Sequence, residues 1–203
     1  MGRDGLVDLH GIRTNEATRV NAHHISLDTE TSGLSHSDEL TSFYAVEFDM
    51  ATGALGKALQ LDFNPGVPIS YHATLKTGQT NEIQAKFPKL ALAHCIAIAD
   101  FLKGAEVWIH NKSFDERFIN KCMQRFQLPA LAGLASLRCS VQRARELGHK
   151  ESKLDVLCDY YRIDRSNRTL HGARIDAELL AMVVSHMQRP KPTSMREARA
   201  LRA

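Results

Sequence analysis

Hydrophobic and polar positions along this chain alternate first and only later recur at helical spacing. Residues 1–22 are polar with no sustained apolar period, which reads as a flexible arm or a small appendage to the first strand. From His23 the stretch His23-His-Ile-Ser-Leu-Asp-Thr-Glu30 alternates as a strand, and residues 42–49 and 57–63, joined through Ala51-Thr-Gly53, read as a hairpin. Asn64-Pro-Gly-Val-Pro68 breaks the sheet, and the weak periodicity up to Pro88 predicts a long loop with a helical turn, a kind of segment that often carries function. Leu90, Leu92, Ala93, Ile96, Ala97 and Phe101 predict a helix over 89–102, with Gly104 as its stop. Glu106-Val-Trp-Ile-His110 is then a short strand, and helical patterns recur at 113–126, 141–147, 153–160 and 173–187. Strands first, then helices alternating with one or two strands, predict a mixed α/β domain with helices packed on a central sheet.

Composition narrows the class only a little. The 203 residues are 43% hydrophobic and 24% charged, the balance of a soluble globular domain, and one domain is expected at this length. A net charge of +3 permits a nucleic-acid partner without selecting one. Cys95, Cys122, Cys139 and Cys158 form no CxxC pair and lie mostly in apolar segments, which fits free thiols in a reducing cytosol better than disulfides or a zinc site. No apolar run approaches the roughly 18 residues of a membrane span, and the first residues lack the apolar core of a signal peptide, so a cytoplasmic protein without a membrane partner is expected. The tail after Gln188 is basic and interrupted by prolines, the composition of an exposed extension.

Four acidic residues fall where apolar segments make them expensive. Asp28 and Glu30 are two apart on the first strand and so project from one face, an oxygen pair of the kind hard divalent cations prefer; the plainer reading is a turn beginning at Asp28-Thr-Glu-Thr-Ser-Gly33. Asp115 lies in the first turn of the helix after Asn111, where Asn111 or Ser113 could cap it and Asp115 could simply complement the helix dipole. Phe114 and Phe118, four apart, read as a core-facing stripe. At about 100° per residue, Arg174, Glu178 and Ser185 share one face of the last helix and Asp176 falls almost opposite, among apolar neighbours. There it must be hydrogen-bonded, paired with a base such as an arginine, or bound to metal. His171, just before that helix, can reach the same place and is a candidate general base.

Together, Asp28-Thr-Glu30, Asn111-Lys-Ser-Phe-Asp115 and His171-Gly-Ala-Arg-Ile-Asp-Ala177 resemble, in order and spacing, the motifs of the DEDDh 3′-to-5′ exonucleases over roughly residues 23–187. Gly104-Ala-Glu-Val-Trp-Ile-His-Asn111, Leu154-Asp-Val-Leu-Cys158 and Arg168-Thr-Leu-His-Gly-Ala173 are similar to the wording of proofreading epsilon subunits of bacterial DNA polymerase III. Two stretches depart from the family: Thr41-Ser-Phe-Tyr-Ala45 stands where Glu-Ile-Gly-Ala is usual, and His72-Ala-Thr-Leu75 stands for the His-Gly-Ile-Thr loop. Thr193-Ser-Met195 lacks the flanking residues of a clamp-binding peptide.

The resemblance implies a ribonuclease-H-like α/β fold, a central mixed five-stranded sheet flanked by helices, with an exonuclease domain at 23–187 between the polar arm and the tail at 188–203. It implies two Mg²⁺ or Mn²⁺ ions on Asp28, Glu30, Asp115 and Asp176, His171 as base, and Thr29, Thr31, Leu34 and Asn111 against the terminal nucleotide. The implied reaction releases 5′-mononucleotides from 3′ ends, on single-stranded DNA rather than RNA, with a DNA polymerase subunit as a candidate partner. Two alternatives stand beside it: an RNA-trimming exonuclease of the oligoribonuclease or RNase T kind, and a non-catalytic nucleic-acid-binding or polymerase-associated module. In the second, each acidic residue would be a buried liability.

Overall fold

The computed structural model describes residues 6–7, 13–15 and 24–189. Two short strands, β1 (Leu6–Val7) and β2 (Arg13–Asn15), precede the three long ones, β3 (His24–Thr31), β4 (Leu40–Phe48) and β5 (Leu55–Asp62). Helices α1 (Tyr71–Thr77), α2 (Asn81–Gln84) and α3 (Leu92–Leu102) follow, then β6 (Glu106–Ile109), α4 (Lys112–Arg125), α5 (Leu131–Leu134), β7 (Ser136–Cys139), α6 (Ser140–Glu146), α7 (Leu154–Tyr161) and α8 (Ala173–Gln188). The strands form one mixed sheet in the order β1-β2-β5-β4-β3-β6-β7. β3 is the middle strand of the five from β5 to β7, antiparallel to β4 and parallel to β6, so that Leu27 sits between Ala45 and Ile109. The expected five-stranded sheet is β5-β4-β3-β6-β7, and β2 extends it by pairing antiparallel with β5. Part of the polar arm thus belongs to the sheet, at the edge beyond β5 rather than beside the first long strand; the other residues of 1–22 and the tail from 190 lie outside the described residues.

Alternation along the strands sends apolar side chains into two layers of helices. Ile25, Leu27, Phe43, Ala45, Val107 and Ile109 meet Ile98 and Leu102 of α3 and Phe118 and Ile119 of α4. On the other face, Phe48 and Trp108 meet α7 and α8 through Leu157, Leu180 and Val184, while Tyr44 and Val46 cover Ala173 and Ala177. Phe43 is fully buried, and its replacement by Ala would cost about 3–5 kcal/mol. Ser26 Oγ donates to the Ala177 carbonyl at 2.7 Å and so pins α8 to β3.

Several elements differ from expectation. The loop after Asn64 holds two helices, each with a hydroxyl cap: Ser70 accepts from Ala73 N–H and Thr80 from Ile83 N–H. The next helix begins at Leu92 rather than 89, because Asn64 pairs with Lys89 as a bridge and its N–H donates to the Pro88 carbonyl, holding that stretch extended. Ser185 is buried rather than on a solvent face with Arg174 and Glu178. β7, a parallel neighbour of β6, is the fifth strand of the expected sheet, in a stretch where the sequence pattern placed no strand.

Candidate active site

The C-terminal end of the central strand carries the acidic residues. Asp28 and Glu30 stand on the α8 face of β3, opposite Tyr44 and Ser42 of β4, with the ladder shifting register between Glu30 and Thr31. Asp176, 6% exposed, comes from the first turn of α8. One carboxylate oxygen from each of Asp28, Glu30 and Asp176 lies within 4.8 Å of the others, close enough to share a cation. Hard divalent ions take such oxygen sets, so the donor chemistry fits a divalent cation.

Asp115 reaches the same strand end from the opposite face. Helix α4 starts from Asn111, which takes a left-handed conformation (φ 57°, ψ 53°) and makes no side-chain cap bond, and the first turn then places Asp115 beneath β3. Its Oδ1 accepts from Thr29 N–H at 3.0 Å and Thr29 O–H at 2.7 Å. Thr29 is thus a brace for Asp115, and the two faces of one strand bring α4 and α8 to a single point.

Burial at that strand end raises the proton affinity of Asp28, Glu30 and Asp115. Burial, and after it the carboxylates of Asp115, Glu30 and Asp176, pushes Asp28 well above the usual range, while Arg168 opposes. Glu30 is pushed up to about 7 by burial and then by Asp176, with Lys76 acting against the shift. Asp115 also rises to about 7 through burial, although the Thr29 bonds hold it down. Each shift records lost hydration, joined at Asp28 and Glu30 by repulsion between carboxylates, which a bound cation would relieve.

Asp176 has both of the partners its position demands. Arg168 forks onto it, Nε to Oδ1 at 2.5 Å and Nη2 to Oδ2 at 2.8 Å, and reaches Asp155 of α7 with Nη1. His171 Nδ1 lies 3.0 Å from Asp176 Oδ2 and 2.7 Å from Arg168 Nη2. With its proton on Nδ1 the ring donates to Asp176 and leaves Nε2 as a free base; with the proton on Nε2 it accepts from Arg168 instead. Burial and Arg168 lower the His171 pKa, which favours neutral imidazole.

The rim is built from loops that are tied down. Thr31 O–H donates to the Gly33 carbonyl, and Leu34, 76% exposed, follows. Arg117 donates to the Leu34 carbonyl with its guanidinium 4.6 Å over the Phe118 ring, and Lys121 donates to the carbonyls of His36 and Asp38. A Cβ on Gly33 would come within 2.6 Å of the Asp38 carboxylate, so a side chain there would displace that carboxylate from Ser32 and Ser35. Phe118 is buried as expected of a core stripe, with the Phe114 ring 5.1 Å away.

Sequence reasoning missed three contributors. His72–Leu75 lies within α1 rather than in a loop, and the same x-Gly-x-Thr spacing recurs at Thr77-Gly78-Gln79-Thr80, where Gly78 ends α1 at φ 73° and Thr80 caps α2. The carbonyl of Lys76, just before it, accepts from His171 N–H at 3.0 Å, so the end of α1 positions the histidine. Gly78 and the Thr80-Asn-Glu cap were the legible signals for that turn. Arg168 and Asp155 were quoted only as motif text, and their contact with the acidic cluster was missed. Where the family's second strand has glutamate, Ser42 donates to Asp62 and Tyr44 O–H to Glu178, which also pairs with Arg174.

Helices on both faces of a mixed sheet, with carboxylates converging at the end of its central strand, define a ribonuclease-H-like nuclease fold. Residues 25–184 match the exonuclease family described as RNase T. The chain is 32% identical over 179 residues to the DNA polymerase III subunit epsilon of Pasteurella multocida (strain Pm70), covering 83% of this chain and 68% of that protein. It is 32% identical over 169 residues to that of Haemophilus influenzae (strain ATCC 51907 / DSM 11121 / KW20 / Rd), with 78% and 64% covered. Among solved structures, exonuclease X in complex with 5′-overhanging duplex DNA matches with a TM-score of 0.63 at 20% identity, over 86% of this chain and 96% of that one. Exonuclease I matches with a TM-score of 0.67 at 19% identity, over 81% and 41%. These two establish the fold. The chain belongs to the exonuclease family, and it is an exonuclease of the epsilon-like, 3′-to-5′ type. No helix among the described residues is long and apolar enough to cross a membrane.

Proposed function

We propose that this chain removes 5′-mononucleotides from the 3′ ends of single-stranded DNA, with two Mg²⁺ or Mn²⁺ ions held by Asp28, Glu30, Asp115 and Asp176. The observation that carries this reading is the convergence of Asp28, Glu30 and Asp176 within 4.8 Å, an arrangement whose repulsion calls for a cation. When bound, the ions supply an acidified water and neutralise charge on the phosphate and the leaving oxygen. His171, with Nδ1 on Asp176, takes the proton of the attacking water at Nε2, which requires neutral imidazole and so a loss of rate in acid. Thr29 holds Asp115 in place; Thr31 and the braced, exposed Leu34 meet the terminal nucleotide, and Asn111 orders the turn beside it.

The catalytic unit is residues 23–187. DNA is favoured over RNA because the curated relatives are DNA polymerase subunits, and those relatives make a polymerase subunit the natural partner. The buried thiols of Cys95, Cys122 and Cys158 suit the cytoplasm. Phosphate contacts and stacking in a single-strand cleft give little sequence preference and strong salt dependence.

A gel time course tests this on 5′-labelled single-stranded DNA and RNA of one sequence, with Mg²⁺, Mn²⁺ or EDTA. The expected result is a ladder shortening from the 3′ end, dependent on metal and faster on DNA. Faster shortening of RNA would transfer the assignment to RNA trimming, and intact oligonucleotides in every lane would refute the enzyme.

A further inference from the structure

The guanidinium of Arg168 touches Asp176, His171 and Asp155 together. Only 7% of its side chain is exposed, and its three nitrogens are all engaged: Nε and Nη2 on the two oxygens of Asp176, Nη1 on Asp155, with Nη2 also 2.7 Å from His171 Nδ1. Both oxygens of Asp176 are therefore bonded to a cation belonging to the protein itself. Asp176 is also one of the three carboxylates whose oxygens converge within 4.8 Å. A metal ion that ligates Asp176 has to share an oxygen with Arg168 or displace it, and two positive charges at that range repel. Asp155 differs from Asp176 in place: it lies on α7, outside the converging group, with 43% of its side chain exposed and Arg165 Nη1 3.9 Å away.

We propose that Arg168 is a positioning residue that competes with the divalent cation for Asp176, and that Asp155 is the carboxylate that retains the guanidinium when Asp176 turns to the metal. The inference rests on the metal reading of Asp28, Glu30 and Asp176. Arg168 limits how tightly the empty-handed carboxylates take up a cation and keeps Asp176 oriented until they do. Asp155 works in the opposite sense, drawing the guanidinium away and easing the exchange. The two motifs quoted from the sequence, around Leu154-Asp155 and Arg168-Thr-Leu-His171, thereby form one device acting on α8.

The two roles predict opposite signs for two substitutions, read as Mn²⁺ affinity by electron paramagnetic resonance titration of the whole chain without nucleic acid. Arg168→Gln should bind Mn²⁺ tighter by about tenfold, the effect of removing roughly 1.4 kcal/mol of competition. Asp155→Asn, which removes the negative charge that draws Arg168 toward α7, should bind it several times more weakly. A residue with a purely structural role would lower the melting temperature without moving affinity in these opposite directions. Unchanged or weaker binding in Arg168→Gln overturns the inference. Should that variant fail to fold, Asp155→Asn decides alone: weaker binding supports the exchange, and equal or tighter binding overturns it. Wild-type protein that takes up no Mn²⁺ overturns the metal reading itself, whereas wild-type uptake with insensitive variants overturns Arg168's role only.

Discussion

Carboxylates at two places in this molecule are shifted in opposite directions. Asp49, in the turn between β4 and β5, accepts from Thr52 O–H and N–H and from Ala51 N–H, and these bonds hold it below its ordinary pKa. Asp28, Glu30 and Asp115, at the end of β3, are pushed above theirs by burial and, at Asp28 and Glu30, by one another. The turn gives an exposed carboxylate several donors; the strand end buries its carboxylates and sets Asp28 and Glu30 against others. That is the difference expected between acids that serve the fold and acids kept for a functional site.

Substitutions at the two places should separate them further. The largest effect is expected at Asp28→Asn: the initial rate on single-stranded DNA should fall on the order of a thousandfold, as loss of metal stabilisation worth several kcal/mol requires. Melting in EDTA should leave that variant as stable as wild type or more so, since a repelled carboxylate is removed. A comparable rate, or a large loss of stability in EDTA, would place Asp28 with the structural acids. Next comes Thr29→Val, which deletes the 2.7 Å bond to Asp115 and should cost about 1–3 kcal/mol in urea denaturation. No measurable cost would mean that Thr29 does not brace Asp115.

A smaller effect is expected from His110, bonded to Ser140 Oγ at 2.9 Å and pushed down to about 4 by burial. Its folded pKa lies below the ordinary 6.5, so its contribution is present above that value and is lost as pH falls through the folded one. The melting-temperature difference between wild type and His110→Gln should therefore move against wild type between pH 6.5 and 4, a comparison that cancels the opposite-signed contribution of Glu30 and Asp115 over the same range; a difference that does not change with pH would count against a buried neutral ring. The smallest effect is expected at Asp49→Asn, a slight fall in melting temperature at pH 7 that shrinks as acid protonates the wild-type carboxylate, with no change in nuclease rate. A rate defect there would blur the distinction between the two places.

What the chain made legible follows from how local each signal is. The alternation in β3, the hairpin of β4 and β5, and the apolar stripe of α8 are local patterns, and Asp28, Glu30, Asp115, Asp176 and His171 stood out as polar exceptions or motif positions within them. β7 escaped because Ser136-Leu-Arg-Cys139 is an edge strand of four partly exposed residues with no room for a period. α1 escaped because it buries no residue and so shows no apolar stripe, though Ser70 and Gly78 mark its ends. Arg168 carries no periodic signal; its importance comes from a fork onto Asp176 eight residues away and a second contact on α7, which only the folded chain brings together. Whether Asp176 would find an arginine or a metal was posed by the sequence as a choice, and the structure puts the arginine on a carboxylate that also has an oxygen within 4.8 Å of those of Asp28 and Glu30.

The most direct test of that arrangement is anomalous diffraction from crystals of the protein soaked in Mn²⁺. The account predicts anomalous density at about 2.0–2.2 Å from oxygens of Asp28, Glu30 and Asp176. Ordered carboxylates with no density between them at saturating Mn²⁺ would contradict it.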